Sequence, residues 1–195
     1  MILPLAGLAG LFLVVLWQVQ SGGPLVTLDG LLNASLSAIR SRVTLAAGAW
    51  ISQVGTGAAG AILCLVVSGL LWSDGRVHYV APLWVTFIGA QATTWSLKFI
   101  TARKRPDFLE GITAASPSFP SAHATVSMAV FGALALVIAD GLGQGRAAVY
   151  TASGALILSI CFSRMLLSLH YFSDVVAGGT VGLFWVLVGW RLAWL

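Results

Sequence analysis

Charge is what this chain has least of. Ten Lys and Arg and six Asp and Glu make up 8% of its 195 residues, against 58% hydrophobic residues. A soluble domain carries roughly 25% charged residues. With a third of that and a mean hydropathy of +0.96, the surface left after folding could not be wetted. A soluble globular class is excluded, and an all-α polytopic membrane protein is expected.

Cysteine is nearly missing as well. Cys64 and Cys161 each lie inside an apolar run, with no CxxC spacing. That excludes a disulfide framework and a Cys-based metal site, and both read as buried apolar residues. Long basic runs and aromatic-interleaved basic stripes are missing too. Despite a formal charge of +4, nucleic acid is therefore not expected as a partner. The densest basic cluster, "RKRP" at Arg103 to Pro106, reads by itself as a loop at the membrane surface. No basic stretch precedes the first apolar run, so residues 2–19 read as a retained membrane helix.

Hydrophobic runs are abundant. About 20 apolar residues cross a bilayer as a helix, and six segments qualify, roughly 2–19, 52–72, 79–101, 122–139, 147–168 and 171–193. Between the first two, Leu28, Leu31, Leu32, Leu36 and Ile39 recur at helical spacing in a semi-polar stretch. That pattern fits a helix lying in the interface, with Asp29, Arg40 and Arg42 as ordinary residues of it. One bundle, residues 1–195, is the expected domain. Gly178, Gly179 and Gly182 have the small-residue spacing of close helix packing in lipid.

Segment parity carries the functional argument. Lys98 closes the third segment, Ser121 to His123 open the fourth, Arg164 nearly closes the fifth and His170 opens the sixth. Odd segments end on the face where even segments begin, so these groups are expected at one membrane surface. His78 falls on the opposite face and is given no role. Arg103, Lys104, Asp107 and Glu110 are candidates for tuning headgroup access.

Taken singly, each residue has a plain structural reading. Lys98 and Arg164 could snorkel, and His170 with Asp174 could brace a helix. Together they suggest chemistry, because titratable groups at membrane depth are costly and mark function. Lys98, Arg105 and Arg164 are three cations whose repulsion a phosphate would relieve, and arginine forks match phosphate oxygens. Ser121 at a helix start adds free N–H groups and the favourable end of the dipole. His170 and Asp174, four apart, would share a helix face. A carboxylate on Nδ1–H leaves Nε2 bare as a nucleophile. His123, from another segment, could protonate the leaving oxygen.

In the motifs Lys98–Arg105–Pro106, Pro120–Ser121–Ala122–His123 and Ser163–Arg164–His170–Asp174, the chain resembles the type 2 phosphatidic acid phosphatase superfamily. That family's pattern is K-x6-RP, PSGH and SR-x5-H-x3-D. The resemblance implies His170 as nucleophile, His123 as acid and base, and Asp174 as the orienting carboxylate. Lys98, Arg105, Ser121, Ala122 and Arg164 would bind phosphate. No metal or other cofactor is implied. The substrate would be a lipid phosphate held at the bilayer: phosphatidylglycerophosphate, phosphatidic acid or undecaprenyl diphosphate. The cation count slightly favours the diphosphate. Transfer of the phosphoryl group to another lipid, or non-catalytic binding and transport of a lipid phosphate, are the alternatives. Ala122 departs from the family's glycine, and would be strained if that position needs a positive φ. Basic residues are denser on the proposed catalytic face, which by the positive-inside rule would be cytoplasmic. Most of that excess is committed to phosphate, and the resemblance implies an extracytoplasmic site; the compact size suits a bacterial-type enzyme of the inner membrane. Nothing in the sequence sets the oligomeric state.

Overall fold

The structure, a computed structural model, describes residues 2–106, 115–142 and 144–194. Among the described residues the regular structure is helical. Eight α-helices follow in order: α1 Ile2–Ser21, α2 Pro24–Ser37, α3 Arg42–Val54, α4 Gly57–Ser73, α5 Val80–Thr101, α6 Ala122–Asp140, α7 Arg146–Leu166 and α8 Phe172–Leu192. A 3₁₀ turn at Val77–Tyr79 leads into α5.

Four of these, α1, α6, α7 and α8, are long and apolar enough to cross a membrane. The segment expected at 52–72 starts ten residues earlier and is broken: α3 and α4 meet at 45° and together qualify as a fifth span. The break has local causes. Ser41 caps α3, Gly55 closes it, and the Thr56 side chain accepts from Ala59 N–H to start α4. Gly55 also packs where a Cβ would meet Ser127 Oγ at 2.9 Å. α5 is 22 residues long, but its Thr, Gln and Lys residues leave it less apolar than the other four. Among the described residues, length and composition therefore yield four or five spans where six were expected.

The bundle is built around α6. This helix buries eleven of its nineteen residues and packs on α4, α5, α7 and α8. α1 is just as greasy yet buries only Val15. Leu3, Leu13 and Trp17 point outward from it, as lipid-facing residues would. In a bilayer apolar surface gains nothing from burial against protein, so association relies on close fit and interhelical hydrogen bonds. Both are present. A Cβ on Gly182 would lie 2.7 Å from Thr125 O, and one on Gly178 would collide with Ser121 O, so α8 touches the α6 backbone. Gly179, the third member of that stripe, faces open space and does not share the contact. Thr94 donates to Thr125 at 3.0 Å between α5 and α6, and Trp185 Nε1 donates to Thr93 at 3.0 Å between α8 and α5. Cys64 and Cys161 are both buried and free, as the sequence suggested.

The stretch expected to lie in the interface forms α2, followed by a turn into α3. Its faces differ from the reading. Leu28, Leu31 and Ile39 are exposed, whereas Leu25, Asp29, Leu32, Asn33 and Leu36 turn toward the rest of the chain. Asp29 is the one fully buried residue of this helix.

Candidate active site

The turn between α7 and α8 is where the site forms. α7 ends at Leu166, and Ser168 adopts a left-handed φ of 55°. Leu169 N–H then donates back to Arg164 O at 3.1 Å and His170 N–H to the same oxygen at 3.3 Å. This is the αL helix ending in which a C-terminal carbonyl is satisfied by residues beyond the helix. It folds His170 back over the last turn that carries Arg164. Ser168, 1% exposed, is held from outside by Asn33 of α2 at 3.4 Å.

α8 starts at Phe172, so His170 stands outside the helix and does not share a helix face with Asp174. The two meet through the turn instead. Asp174 is the third residue of α8, where Oδ2 accepts Tyr171 N–H at 2.9 Å and a carboxylate is favoured by the helix dipole. From there Oδ2 lies 3.5 Å from His170 Nδ1, the outer edge of hydrogen-bonding range. Among the described residues Nδ1 makes no hydrogen bond, and the Asp174 carboxylate faces it as a neighbouring charge.

The other ring nitrogen settles the tautomer. Arg105 Nη1 lies 3.2 Å from His170 Nε2. A guanidinium can only donate, so Nε2 accepts and the proton of the neutral ring sits on Nδ1, toward Asp174. Burial pushes the His170 pKa down to about 4, with Asp174 partly offsetting the loss of water. The imidazole is therefore neutral at pH 7.

The cations crowd the same place. Arg105 donates Nε to Ser116 O at 2.9 Å and Nη1 to Leu169 O at 2.5 Å. Lys98, 1% exposed, donates Nζ to Pro117 O at 2.5 Å, and Arg105 Nη2 reaches that carbonyl at 3.4 Å. Arg164 donates Nη1 to the hydroxyl of Ser52 on α3. Its Nε is buried with no acceptor among the described residues, a donor left unmade in a protein interior. Burial lowers the Arg105 pKa, partly offset by Asp174.

Ser121 caps α6, accepting Ala124 N–H at 3.5 Å, while its own N–H donates to Asp174 O at 2.9 Å. Its hydroxyl is thus already engaged by the helix. Ala122 opens α6 without a positive φ, so the departure from glycine carries no backbone strain. The first N–H groups of α6 have no intrahelical acceptor. His123 follows on the same turn of α6, beside Gly55 at the break between α3 and α4. The residues singled out at four separate segment ends thus share one end of the bundle.

Three contributors were not legible. Ser118 donates to Asp174 Oδ2. Arg103, expected only to tune access, donates Nη1 to Asp174 Oδ1 at 2.5 Å and Nη2 to Asp29 Oδ2 at 2.8 Å. Asp29, read as an ordinary interfacial residue, is 1% exposed and accepts Ser173 N–H at 2.9 Å. The one signal for Asp29 was a lone carboxylate in an otherwise uncharged helical stretch. Arg40 is also more than an interfacial residue, donating to Leu166 O at 2.9 Å and Asn33 at 2.7 Å. Lys104 and Arg42 are exposed; Asp107 and Glu110 lie outside the described residues.

Lys98, Arg105 and Arg164 thus gather around the His170 imidazole and the Asp174 carboxylate at one end of the helical bundle. The family model of the PAP2 superfamily matches residues 79–195, and the chain belongs to that superfamily. It is 31% identical over 90 residues to phosphatidylglycerophosphatase B of Bacillus subtilis (strain 168), covering 45% of this chain and 44% of the relative. The matched stretch thus spans less than half of that relative's length. The fold is similar to the crystal structure of a transmembrane PAP2-type phosphatidylglycerolphosphate phosphatase from Bacillus subtilis, with a TM-score of 0.87 and 21% identity over 96% of this chain and 94% of the other. It is also similar to Aquifex aeolicus LpxE, with a TM-score of 0.64 and 19% identity over 85% and 94%.

Proposed function

We propose that this chain is a membrane lipid phosphatase that removes a terminal phosphate through a phosphohistidine on His170. The observation that carries the reading is the line Arg105–His170–Asp174. A cation donates to Nε2 at 3.2 Å, and a carboxylate stands 3.5 Å from Nδ1 on the far side of the ring. An incoming phosphate would draw Arg105 onto its oxygens and leave Nε2 facing phosphorus.

In the first step Nε2 attacks phosphorus as the bond to the lipid oxygen breaks, and His123 gives that oxygen a proton. In the second, His123 takes a proton from water as the water oxygen attacks phosphorus, the N–P bond breaks and inorganic phosphate leaves. Lys98, Arg105 and Arg164 stabilise the charge on the three equatorial oxygens, helped by the N–H groups at the start of α6 next to Ser121 and Ala122. Asp174 steadies the imidazolium character gained on Nδ1. Three fixed cations supply the neutralisation, so the reaction is metal-independent.

The substrate follows from crowding. Lys98 and Arg105 reach the same Pro117 carbonyl, which suits a single phosphoryl group better than the diphosphate first favoured by counting cations. Phosphatidylglycerophosphate, the substrate class in the names of both Bacillus subtilis relatives, is the first candidate, ahead of phosphatidic acid and undecaprenyl diphosphate. An apolar cleft of about 320 Å³ between α1, α5 and α8, lined by Phe12, Leu97 and Trp185 among others, suits a lipid tail, and Leu97 adjoins Lys98. In this reading residues 1–195 form one domain crossing the bacterial inner membrane six times, counting α5 and the bent pair. α2 lies in the interface and the site is extracytoplasmic.

The test is phosphate release in detergent from those three lipids with a chelator present. Chelator-resistant release, fastest from phosphatidylglycerophosphate and lost in His170→Ala, is expected. Release that needs a divalent metal, or an unimpaired His170→Ala protein, would sink the reading.

A further inference from the structure

We propose that Asp29 of α2 and Arg103 are positioning residues that aim Asp174 at His170 and set the net charge the imidazole feels. The inference rests on the phosphatase reading above. It adds two residues that the three motifs do not specify, one of them from a helix far away in sequence.

The bridge is complete on every side. Arg103 Nη1 donates to Asp174 Oδ1 at 2.5 Å and to Ser173 Oγ at 2.7 Å, and Nη2 donates to Asp29 Oδ2 at 2.8 Å. Asp29 spends its remaining capacity on α8. Its Oδ1 accepts Ser173 N–H at 2.9 Å and its Oδ2 accepts the Ser173 hydroxyl at 2.5 Å. The Arg103 guanidinium lies over the Tyr171 ring, 4.3 Å from its centroid. A forked, planar cation between two carboxylates fixes orientation as well as distance. With Oδ1 held by Arg103, and Oδ2 held by Tyr171 N–H and Ser118, the Asp174 carboxylate presents one oxygen to His170 and cannot rotate away. One turn further along α2, Asn33 accepts from Arg40 and Ser168, so the same helix face braces the whole turn before His170.

The charges matter as much as the bonds. Asp174 and Arg103 by themselves sum to zero. A neutral pair behind the ring would do little for the positive charge that Nδ1–H shares once Nε2 bonds to phosphorus. Asp29 brings the sum to −1. All three groups are largely buried, with side-chain exposures of 13% for Arg103, 1% for Asp29 and 0% for Asp174, so solvent screens this charge weakly. Among the described residues the other charged or titratable groups around His170 are Tyr171 next to it in the chain, Arg105 at Nε2, and Arg164, Lys98 and His123. Arg103 bridges Asp174 to Asp29, and Asp29 also lines a small cavity with His170 and Tyr171. Consistent with the bridge, Arg103 has its pKa raised: its burial is outweighed by the two carboxylates.

This arrangement makes a prediction that bracing alone does not. Asp29→Asn keeps an acceptor for Ser173 but brings the trio to zero. The double variant Asp29→Asn with Arg103→Gln returns the sum to −1 while keeping a donor for Asp174. Turnover and KM are measured for phosphate release, together with the His170 pKa from ¹⁵N-histidine NMR, in which a chain with three histidines gives few signals. Asp29→Asn is expected to lower kcat at least tenfold with KM within about twofold, and to lower the His170 pKa. The double variant is expected to recover most of both. Wild-type kcat and pKa in Asp29→Asn would overturn the proposal, as would a double variant slower than Asp29→Asn. If Asp29→Asn does not purify as a monodisperse protein, the double variant decides, and turnover no better than that of His170→Ala overturns the proposal. The NMR arm separates this inference from the phosphatase reading. A pKa that falls and recovers in a protein that releases no phosphate leaves the positioning intact and removes the enzymology. Turnover with an unmoved pKa does the reverse.

Discussion

Arg105 and His170 are 65 residues apart in the sequence, and a guanidinium nitrogen of one lies 3.2 Å from Nε2 of the other. That contact assigns the ring proton to Nδ1. It also marks where a phosphoryl oxygen would compete for the guanidinium. Each expectation below follows from that geometry or from the packing that holds it.

His170→Ala should lose at least about a thousandfold in turnover, because it removes the nucleophile itself. His123→Ala should lose about a hundred- to ten-thousandfold, the usual range for a general acid and base. Asp174→Asn should retain more activity than either. Initial rates of phosphate release at saturating lipid check the order. Vanadate, which adopts the five-coordinate geometry of phosphorus, should inhibit.

Activity and stability should both depend on pH through His170, with a definite sign. Its folded pKa of about 4 lies below the ordinary 6.5, so between those values the unfolded chain binds the extra proton. Stability is then fully present above pH 6.5 and is lost as pH falls toward 4, by about 3 kcal/mol from this group. Melting temperature in detergent should drop between pH 7 and pH 5, and His170→Ala should flatten that drop. Turnover should keep a neutral nucleophile to lower pH than a free histidine allows.

Gly182→Val should destabilise the bundle and abolish turnover, because its Cβ would sit 2.7 Å from Thr125 O on α6. Backbone cannot yield as a side-chain tip can, and a loss of about 3 kcal/mol or more is expected. Gly179→Ala, facing open space, should behave as wild type. Thermal melting of the two variants side by side is the measurement.

Ala122→Gly should leave turnover within about threefold. Ala122 already starts α6 with an ordinary φ, so glycine's conformational freedom is not used there. Any change in stability should be a loss of no more than about 1 kcal/mol, from the added backbone freedom of the unfolded chain, read as a slightly lower melting temperature.

Most of the helices and the motif residues of the candidate site were legible because both follow local rules. Apolar runs mark helices, and polar residues at their ends stand out in a chain with little charge. The boundaries of the second segment were not legible, since a Gly55–Thr56 break inside an apolar run leaves its composition unchanged. Nor was the turn that seats His170. Four-residue spacing suggested a shared helix face, whereas a left-handed Ser168 ends α7 and delays α8 until Phe172.

The sequence by itself determined the class of protein, the segments that form helices and the candidate residues, because hydropathy and motif spacing are properties of neighbours along the chain. Only the tertiary structure decided that α6 is central while the equally apolar α1 lies at the edge, since lipid and protein interior accept the same side chains. It alone decided that Asp29, read as an ordinary helix residue, is buried against Arg103 and the start of α8. A carboxylate's partners are chosen by where distant backbones converge, and no local pattern encodes that.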